Sequence, residues 1–160
     1  MPDMLVKLYD FEKDGALLEG LRRQGIVVKR AMTPEMGKVL DFIRAHFGEG
    51  WAREAAASFA RIPVSCFVAA DLSAPKGQQV VGFGCYEATA PDFFGPTGVH
   101  PAYRGRGIGL ALLHCCLDGL KSLGYGYAII GGAGPVDFYK KACGAVPIEG
   151  SAPGIYRDML

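Results

Sequence analysis

Residues 104–109 have the composition and spacing of a phosphate-binding loop. Three glycines alternate with Arg106 and Ile108, so the backbone can turn sharply and expose its amide groups. An apolar, helix-forming pattern over residues 110–123 follows directly, and the positive end of a helix dipole attracts anions. The sequence therefore predicts an anion site at this loop, with countercharge from Arg104 and Arg106.

The spacing of the glycines distinguishes among several kinds of phosphate-binding loop. A dinucleotide-binding fold requires Gly-x-Gly-x-x-Gly, but Leu110 occupies the third glycine position, and no Gly-Lys-Ser/Thr follows to form a nucleoside-triphosphate loop. Instead, Arg104, Gly107 and Gly109 complete Arg/Gln-x-x-Gly-x-Gly/Ala, which resembles the acetyl-CoA signature of the GNAT superfamily of N-acetyltransferases. The alternative is a glycine-rich turn with solvated arginines and no ligand.

The resemblance implies a fold and a co-substrate. It implies an α/β (α+β) domain with a mixed, mostly antiparallel central sheet flanked by helices, and acetyl-CoA in a cleft between two splayed strands. We expect these two strands at residues 93–99 and 125–130. The residues expected to contact the pyrophosphate are Val99, Arg104, Gly105, Arg106, Gly107, Ile108 and Gly109.

Acetyl transfer to an amine also needs a proton for the departing thiolate. Residues 135–145 are similar to the family's helix ending in Phe-Tyr-x-x-x-Gly-Phe, and the resemblance implies that Tyr139 is the acid. The alternative is a packing tyrosine. Many relatives carry an asparagine before this helix, whereas residues 131–134 are Gly-Gly-Ala-Gly; backbone amides could replace that side chain, or the glycines could form only a tight connection.

The sequence indicates the general base less specifically than the other groups, since a carboxylate, a histidine or a water chain can remove the amine proton. Glu87 is the leading candidate because it ends a predicted strand beside a turn, where a substrate could enter. The alternative for Glu87 is an exposed glutamate at a strand end. Asp92 and Glu54 are weaker candidates, and His100 is expected to have a structural role.

The composition indicates one domain over residues 1–160, with 1–24 as a strand-helix extension before the usual start of the family. Half of the residues are hydrophobic and the net charge is +1 without a basic tract, which argues against nucleic acid and membrane partners. The chain shows no secretion signal, so we expect a cytoplasmic protein. Five cysteines without Cys-x-x-Cys or a zinc-type histidine spacing predict reduced thiols and no metal site.

The remaining patterns predict the elements around the site. A strand at residues 26–30 is followed by a helix pair that Thr33 caps and Pro63 ends. Residues 66–70 and 80–86 predict an antiparallel hairpin, and Pro96 predicts a bulge in the next strand. Further elements are expected as a strand at 5–9, helices at 16–23 and 135–143, and terminal strand material at Ile148 and 155–159.

These features favour an enzyme that transfers the acetyl group of acetyl-CoA to a primary amine by direct attack in a ternary complex. The acceptor would be a small molecule or a peptide. A catalytically silent acyl-CoA-binding sensor is the main alternative, and transfer to a hydroxyl is a third. The opening segment, residues 1–24, could add an edge strand, shield the pocket or mediate a homodimer.

Overall fold

Seven strands form one sheet in the order β2-β3-β4-β5-β6-β1-β7 in the computed structural model, which describes residues 1–160. All neighbouring strands are antiparallel except β5 and β6, which are parallel. The predicted mixed, mostly antiparallel sheet is therefore confirmed. The strands are β1 (Met4–Lys7), β2 (Ile26–Arg30), β3 (Cys66–Asp71), β4 (Val80–Tyr86), β5 (Phe93–Val99), β6 (Tyr127–Ile130) and β7 (Val146–Pro147).

Helices cover both faces of the sheet. They are α1 (Gly15–Arg23), α2 (Met36–Phe47), α3 (Glu49–Ala56), α4 (Ile108–Ser122) and α5 (Val136–Cys143). Side chains alternate along β3, so Val68 packs with the helices α2 and α3 whereas Ala69 packs with α1 and α4. None of the helices combines the length and apolar character that crossing a bilayer requires.

The strand β5 contains the bulge that Pro96 predicts. Gly84 pairs with Thr97 but Tyr86 pairs with Phe94, so β5 carries one extra residue where Gly95 adopts a φ of +119°. On its other side β5 pairs with β6 only through Phe93 and Phe94. Beyond Phe94 the two strands separate, which leaves an open cleft beside the second half of β5.

The predicted helix cap at Thr33 is wrong. Thr33 does not cap the helix: it begins a 3-10 turn (Thr33–Glu35), and the Glu35 carboxylate accepts the Met32 amide at 2.8 Å. Lys29 holds that carboxylate at 2.6 Å, so a tertiary ion pair fixes Glu35 as the capping group instead of the threonine hydroxyl.

The C-terminal residues do not form the predicted strands. Ile148 lies outside β7, and within residues 155–159 the chain forms only part of a 3-10 turn (Gly154–Tyr156). β7 pairs only with Met4 and Leu5, on the edge of β1 opposite β6, and the next residue, Ile148, donates its amide to the Asp3 carbonyl at 2.8 Å without extending the strand. The N-terminal strand is thus an interior strand, with Met4 and Val6 completely buried.

Candidate active site

The loop that joins β5 to α4 presents a run of free backbone amides. After Val99 a 3-10 turn (Pro101–Tyr103) leads to Gly105 and Gly107, whose φ angles of +79° and +84° turn the chain into α4. No backbone or side-chain acceptor in the protein takes the amides of residues 105–110. With the positive end of α4 behind them, these amides form a site for an anion.

The two arginines of this loop differ in their surroundings. Arg104 Nε donates to the Val99 carbonyl at 3.2 Å and so ties the loop to the end of β5. The Arg106 guanidinium lies 4.9 Å from the centre of the Tyr103 ring, and the Tyr103 hydroxyl donates to Asp71 at 2.6 Å. Both guanidinium groups are solvent-exposed beside the free amides, where they can contact an anion.

The other residues predicted to contact the cofactor contribute main-chain atoms to the site. The Ile108 side chain is buried beneath α4, so only its amide faces the loop. A Cβ on Gly109 would lie 3.7 Å from Val99 Cγ2, which places the first turn of α4 directly against the end of β5. The structure brings all seven residues predicted to bind the pyrophosphate into this one loop and its strand.

A cleft of about 400 Å³ lies where β5 and β6 separate, and it is continuous with the amide loop through Val99 and Gly109. Its walls come from the unpaired part of β5, from the loop after β6, and from α3, α4 and α5. The lining residues are Met1, Trp51, residues 94–99, Gly109, Leu113, residues 130–135, Phe138 and Tyr139.

Tyr139 lies in the wall of this cleft. The ring is 6% exposed and packs edge-on against Phe94, with ring centres 6.2 Å apart. Its hydroxyl has no partner in the protein, although every fully buried polar side-chain atom has one, so the hydroxyl is open to the cleft. Burial, with a smaller contribution from Cys143, raises the pKa of Tyr139 to about 12, and the group is therefore protonated near neutral pH.

The glycine-rich loop after β6 is held by the N-terminal segment. Gly132 N donates to the Asp3 carboxylate and Ala133 N donates to the Pro2 carbonyl, both at 2.8 Å. These two amides are thus already bonded, which favours the tight-connection interpretation of the glycines over a replacement for the missing asparagine. Gly131 has its own packing reason, because a Cβ there would stand 3.0 Å from the Phe93 ring.

Glu87 is not brought to the cleft. It is buried, with φ at +53°, so it is not the exposed strand-end glutamate of the alternative interpretation. Its carboxylate accepts from the Tyr125 hydroxyl and pairs with Arg61 Nη1 at 2.9 Å, while Arg61 Nε donates to the Glu87 carbonyl at 2.9 Å. These bonds fix the conformation of the turn between β4 and β5.

The two weaker carboxylate candidates differ from each other. Asp92 is bound into the same turn, where its carbonyl accepts from Ile129 N at 3.0 Å; burial, and then the charge of Glu87, raises the pKa of Asp92. Glu54 instead accepts hydrogen bonds from Thr89 and from Tyr156, the latter at 3.3 Å. Sequence reasoning missed Tyr156 because it assigned that segment to a strand.

The histidine at the start of the loop has a structural role here. His100 Nδ1 accepts from Ala102 N at 3.0 Å and caps the 3-10 turn. Its ring also lies edge-on to His46, with centres 4.5 Å apart. No group of three or more His, Cys, Asp or Glu side chains is arranged to hold a metal ion.

Comparison with known proteins adds a family match and several structural similarities. Residues 36–145 match the model of the acetyltransferase (GNAT) family, whereas a search of curated proteins gives no match. The chain is similar to the GCN5-related glucosamine N-acetyltransferase region of a fungal multi-domain GH3 β-N-acetylglucosaminidase, with a TM-score of 0.73, 17% identity, and coverage of 92% of this chain and 19% of that chain.

Two further solved structures are similar over part or most of the chain. A GCN5-related N-acetyltransferase from Sphaerobacter thermophilus has a TM-score of 0.60 and 19% identity, covering 92% of this chain and 48% of that chain. The NatC complex bound to Gag peptide and CoA has a TM-score of 0.51 and 17% identity, covering 62% of this chain and 69% of that chain. The chain spans less than half the length of the first two structures, and these similarities establish a shared fold.

Proposed function

Because the chain belongs to the GNAT acetyltransferase family, we propose that it binds acetyl-CoA and transfers the acetyl group to a primary amine by direct attack in a ternary complex. The observation that carries the proposal is the continuity of the amide loop with the cleft that contains Tyr139. One part can bind an anion and the other can supply a proton within the same open cleft. The NatC structure, which has the same fold, contains CoA.

The amide loop fits the pyrophosphate of coenzyme A. The free amides of residues 105–110 supply donors at a helix N-terminus, and Arg104 and Arg106 supply charge. Beyond the loop, residues 97–99 of β5 pair with β4 on one side but have no strand on the β6 side, so the backbone groups on that free edge can bond an extended arm. Acetyl-CoA supplies the thioester, and the cleft directs that group towards Phe94 and Tyr139.

Tyr139 would act as the acid for the leaving sulfur. Its hydroxyl is protonated and open to the cleft. When the carbon–sulfur bond breaks, the leaving sulfur becomes a thiolate, which is a stronger base than the sulfur of the thioester. Deprotonation of Tyr139 is opposed by burial. Because the raised pKa makes Tyr139 a weaker acid, the proton moves only in concert with the breaking of the carbon–sulfur bond, as negative charge develops on sulfur, and Tyr139 regains a proton from water.

The cysteines favour direct attack over a covalent relay. Four of them are buried, and the fifth, Cys143, donates its thiol to the Tyr139 carbonyl at 3.3 Å. Burial raises the pKa of Cys143 to about 11, so the nucleophilic thiolate is scarce at neutral pH. An amine that enters the cleft then attacks the thioester itself.

The test is an acceptor screen with purified protein and acetyl-CoA, following free thiol and acetylated product. Release of one thiol per acetylated amine supports the proposal. Tight binding of acetyl-CoA by calorimetry, with no thiol released from any amine, peptide or polyamine in the screen, would instead identify a silent acyl-CoA-binding domain. Thiol release with alcohols alone would favour transfer to a hydroxyl.

A further inference from the structure

We propose that Glu54 binds the acceptor and accepts its proton, and that the acceptor is a primary amine that is cationic in solution and carries no carboxylate beside the amine. This inference rests on the proposed acetyl transfer, since it concerns the other substrate of the same cleft. It assigns the base to a residue on α3 and identifies the acceptor by charge.

Glu54 does not itself line the cleft: it lies one hydrogen bond behind the cleft residue Gly131, through the Tyr156 hydroxyl. On α3 it follows Trp51 by one turn, so both side chains lie on the same face of the helix, and Trp51 lines the cleft. The Tyr156 hydroxyl, which donates to Glu54, is 3.6 Å from where a Cβ on Gly131 would stand. Gly131 also lines the cleft, and β5 and β6 come together at Phe93, just beside it.

One oxygen of the Glu54 carboxylate is left free. The hydroxyls of Thr89 and Tyr156 both donate to Oε1, and no Lys, Arg or His side chain lies within 4.0 Å of either oxygen. Because Oε2 lacks a protein partner and is not sealed from solvent, it can accept a hydrogen bond from a ligand. Glu87 contrasts with this, since Arg61 and Tyr125 occupy both of its oxygens.

Water solvates the free oxygen of this half-buried carboxylate when no ligand is bound, and an ammonium group that replaces the water gains charge-assisted hydrogen bonds. The two hydroxyls orient Glu54 without neutralising it. Burial, followed by the charge of Glu54, raises the pKa of Tyr156, so this hydroxyl remains a donor to the carboxylate. The site is thus built to receive a cation at Oε2.

A second negative group excludes acidic acceptors. The Asp3 carboxylate lies near Tyr156, and its charge also raises the pKa of Tyr156. Asp3 Oδ2 is 3.0 Å from where a Cβ on Gly154 would stand, which places it beside the C-terminal turn that carries Tyr156. An acceptor with its own carboxylate next to the amine would be repelled by Glu54 and Asp3 together.

The proton balance uses Glu54 and Tyr139. The acceptor binds as an ammonium at Glu54 Oε2 and loses one proton to water. As the nitrogen bonds to the thioester carbon and the carbon–sulfur bond breaks, Glu54 takes the second proton and Tyr139 gives its own to sulfur. Water then carries a proton from Glu54 back to Tyr139, and the net reaction releases one proton for each amide formed.

The experiment compares decarboxylated amino acids with their parents as acceptors: phenethylamine with phenylalanine, tyramine with tyrosine, histamine with histidine and agmatine with arginine. Thiol release is followed at saturating acetyl-CoA. We expect at least one amine to be acetylated, with a kcat/KM about tenfold or more above that of its parent acid, from the repulsion at Glu54 and Asp3. Equal use of amine and parent would overturn the charge-based assignment in the wild-type protein, whatever any variant does.

Glu54→Gln then tests the residue itself, because it keeps the shape of the side chain and removes the charge. We expect kcat/KM for the amine to fall about 100-fold, the scale of lost general-base catalysis, while acetyl-CoA titrates normally. Glu49→Gln is the matched control: Glu49 is on the same helix and pairs at the surface with Arg44 and Arg53, so this variant should behave as wild type.

The outcomes separate this inference from the proposed function. Amine acetylation that survives in Glu54→Gln overturns the role of Glu54 and leaves acetyl transfer standing. Thiol release in the broad acceptor screen only from anionic acceptors or alcohols also overturns it. Absence of thiol release from every acceptor in that screen overturns the proposed function. If Glu54→Gln does not fold, the comparison of each amine with its parent acid in the wild-type protein, which needs no variant, decides the assignment, and equal use of the two overturns it.

Discussion

Gly107 lies against Leu17, a residue of α1 that is far away in sequence: a Cβ on Gly107 would stand 3.1 Å from Leu17 Cδ1. The anion-binding loop is therefore packed from behind by the N-terminal helix, outside the residues that match the family model. The backbone conformation at Gly107, with φ at +84°, favours a glycine, and a side chain there would also have to move the end of Leu17.

Replacing Gly107 with valine should sharply weaken acetyl-CoA binding, because the new side chain must displace either Leu17 or the loop. We also expect a loss of roughly 1–3 kcal/mol in the free energy of unfolding, from the left-handed backbone. Calorimetric titration and urea denaturation measure the two effects. Gly124→Val is the control, since Gly124 has φ at +96° with open space around it: it should lose comparable stability and keep its affinity. Unchanged affinity in a folded Gly107→Val protein would remove the loop from the binding site.

Salt should weaken acetyl-CoA binding, because the two arginines beside the loop are exposed and their phosphate contacts are screened by ions. Arg106→Gln should lower the affinity and flatten its dependence on salt, as one charge–phosphate contact is lost. Arg23→Gln, on the surface of α1, should leave both quantities as in wild type. An affinity for acetyl-CoA that is the same at low and high ionic strength would contradict the role of Arg104 and Arg106.

Tyr139→Phe should leave acetyl-CoA affinity nearly unchanged and lower kcat by about 100-fold, since it deletes only the proton donor. Tyr127→Phe is a suitable control because Tyr127 is exposed on β6. Turnover should be followed under conditions in which chemistry limits the rate. Turnover of Tyr139→Phe equal to wild type under those conditions would exclude Tyr139 as the acid.

The pH dependence provides a separate test of the same residue. An acid with an ordinary tyrosine pKa of about 10 would already lose much of its proton near pH 10. Burial raises the pKa of Tyr139 to about 12, so its protonated form persists at higher pH, and the loss of catalysis moves up with it. We therefore expect no fall in kcat between about pH 8 and about pH 10. A fall in that range which disappears in Tyr139→Phe would contradict the raised pKa.

Glu87→Gln should affect stability more than catalysis. The substitution breaks the ion pair with Arg61, which is half exposed, and weakens the bond from Tyr125, so we expect a loss of roughly 1–3 kcal/mol. Because the carboxylate does not line the cleft, kcat/KM of the folded variant should stay near that of wild type. If instead Glu87→Gln unfolds like wild type but loses turnover, the assignment of Glu87 as base, made from the sequence, would be restored.

The parts of the site that could be predicted from the sequence are those fixed by local signals. Glycine spacing and the following helix predicted the amide loop, and Pro96 predicted the bulge, because positive φ angles and missing amide donors act within a few residues. The choice of Tyr139 rested instead on the resemblance of its helix to the family's motif. None of these inferences required knowledge of which strands pair.

The parts that could not be predicted depend on distant pairings. The bond from Tyr156 to Glu54 joins residues 102 positions apart, and no local pattern marks either one as a partner. From the sequence alone, Glu87 could not be distinguished from an exposed glutamate at a strand end, because Arg61 and Tyr125, which bind its carboxylate, are distant in sequence. Thr33 lost its capping role to Glu35 through an ion pair with Lys29, which a helix-start pattern does not encode.

The most direct test of the central claim is to incubate the wild-type protein and Tyr139→Phe with acetyl-CoA and the amine panel, and to count free thiol and acetylated amine by mass spectrometry. The account predicts one thiol for each acetylated amine in the wild type, and about 100-fold slower formation of both in Tyr139→Phe. Acetyl-CoA that binds but is never consumed, or that is consumed equally by both proteins, would contradict it.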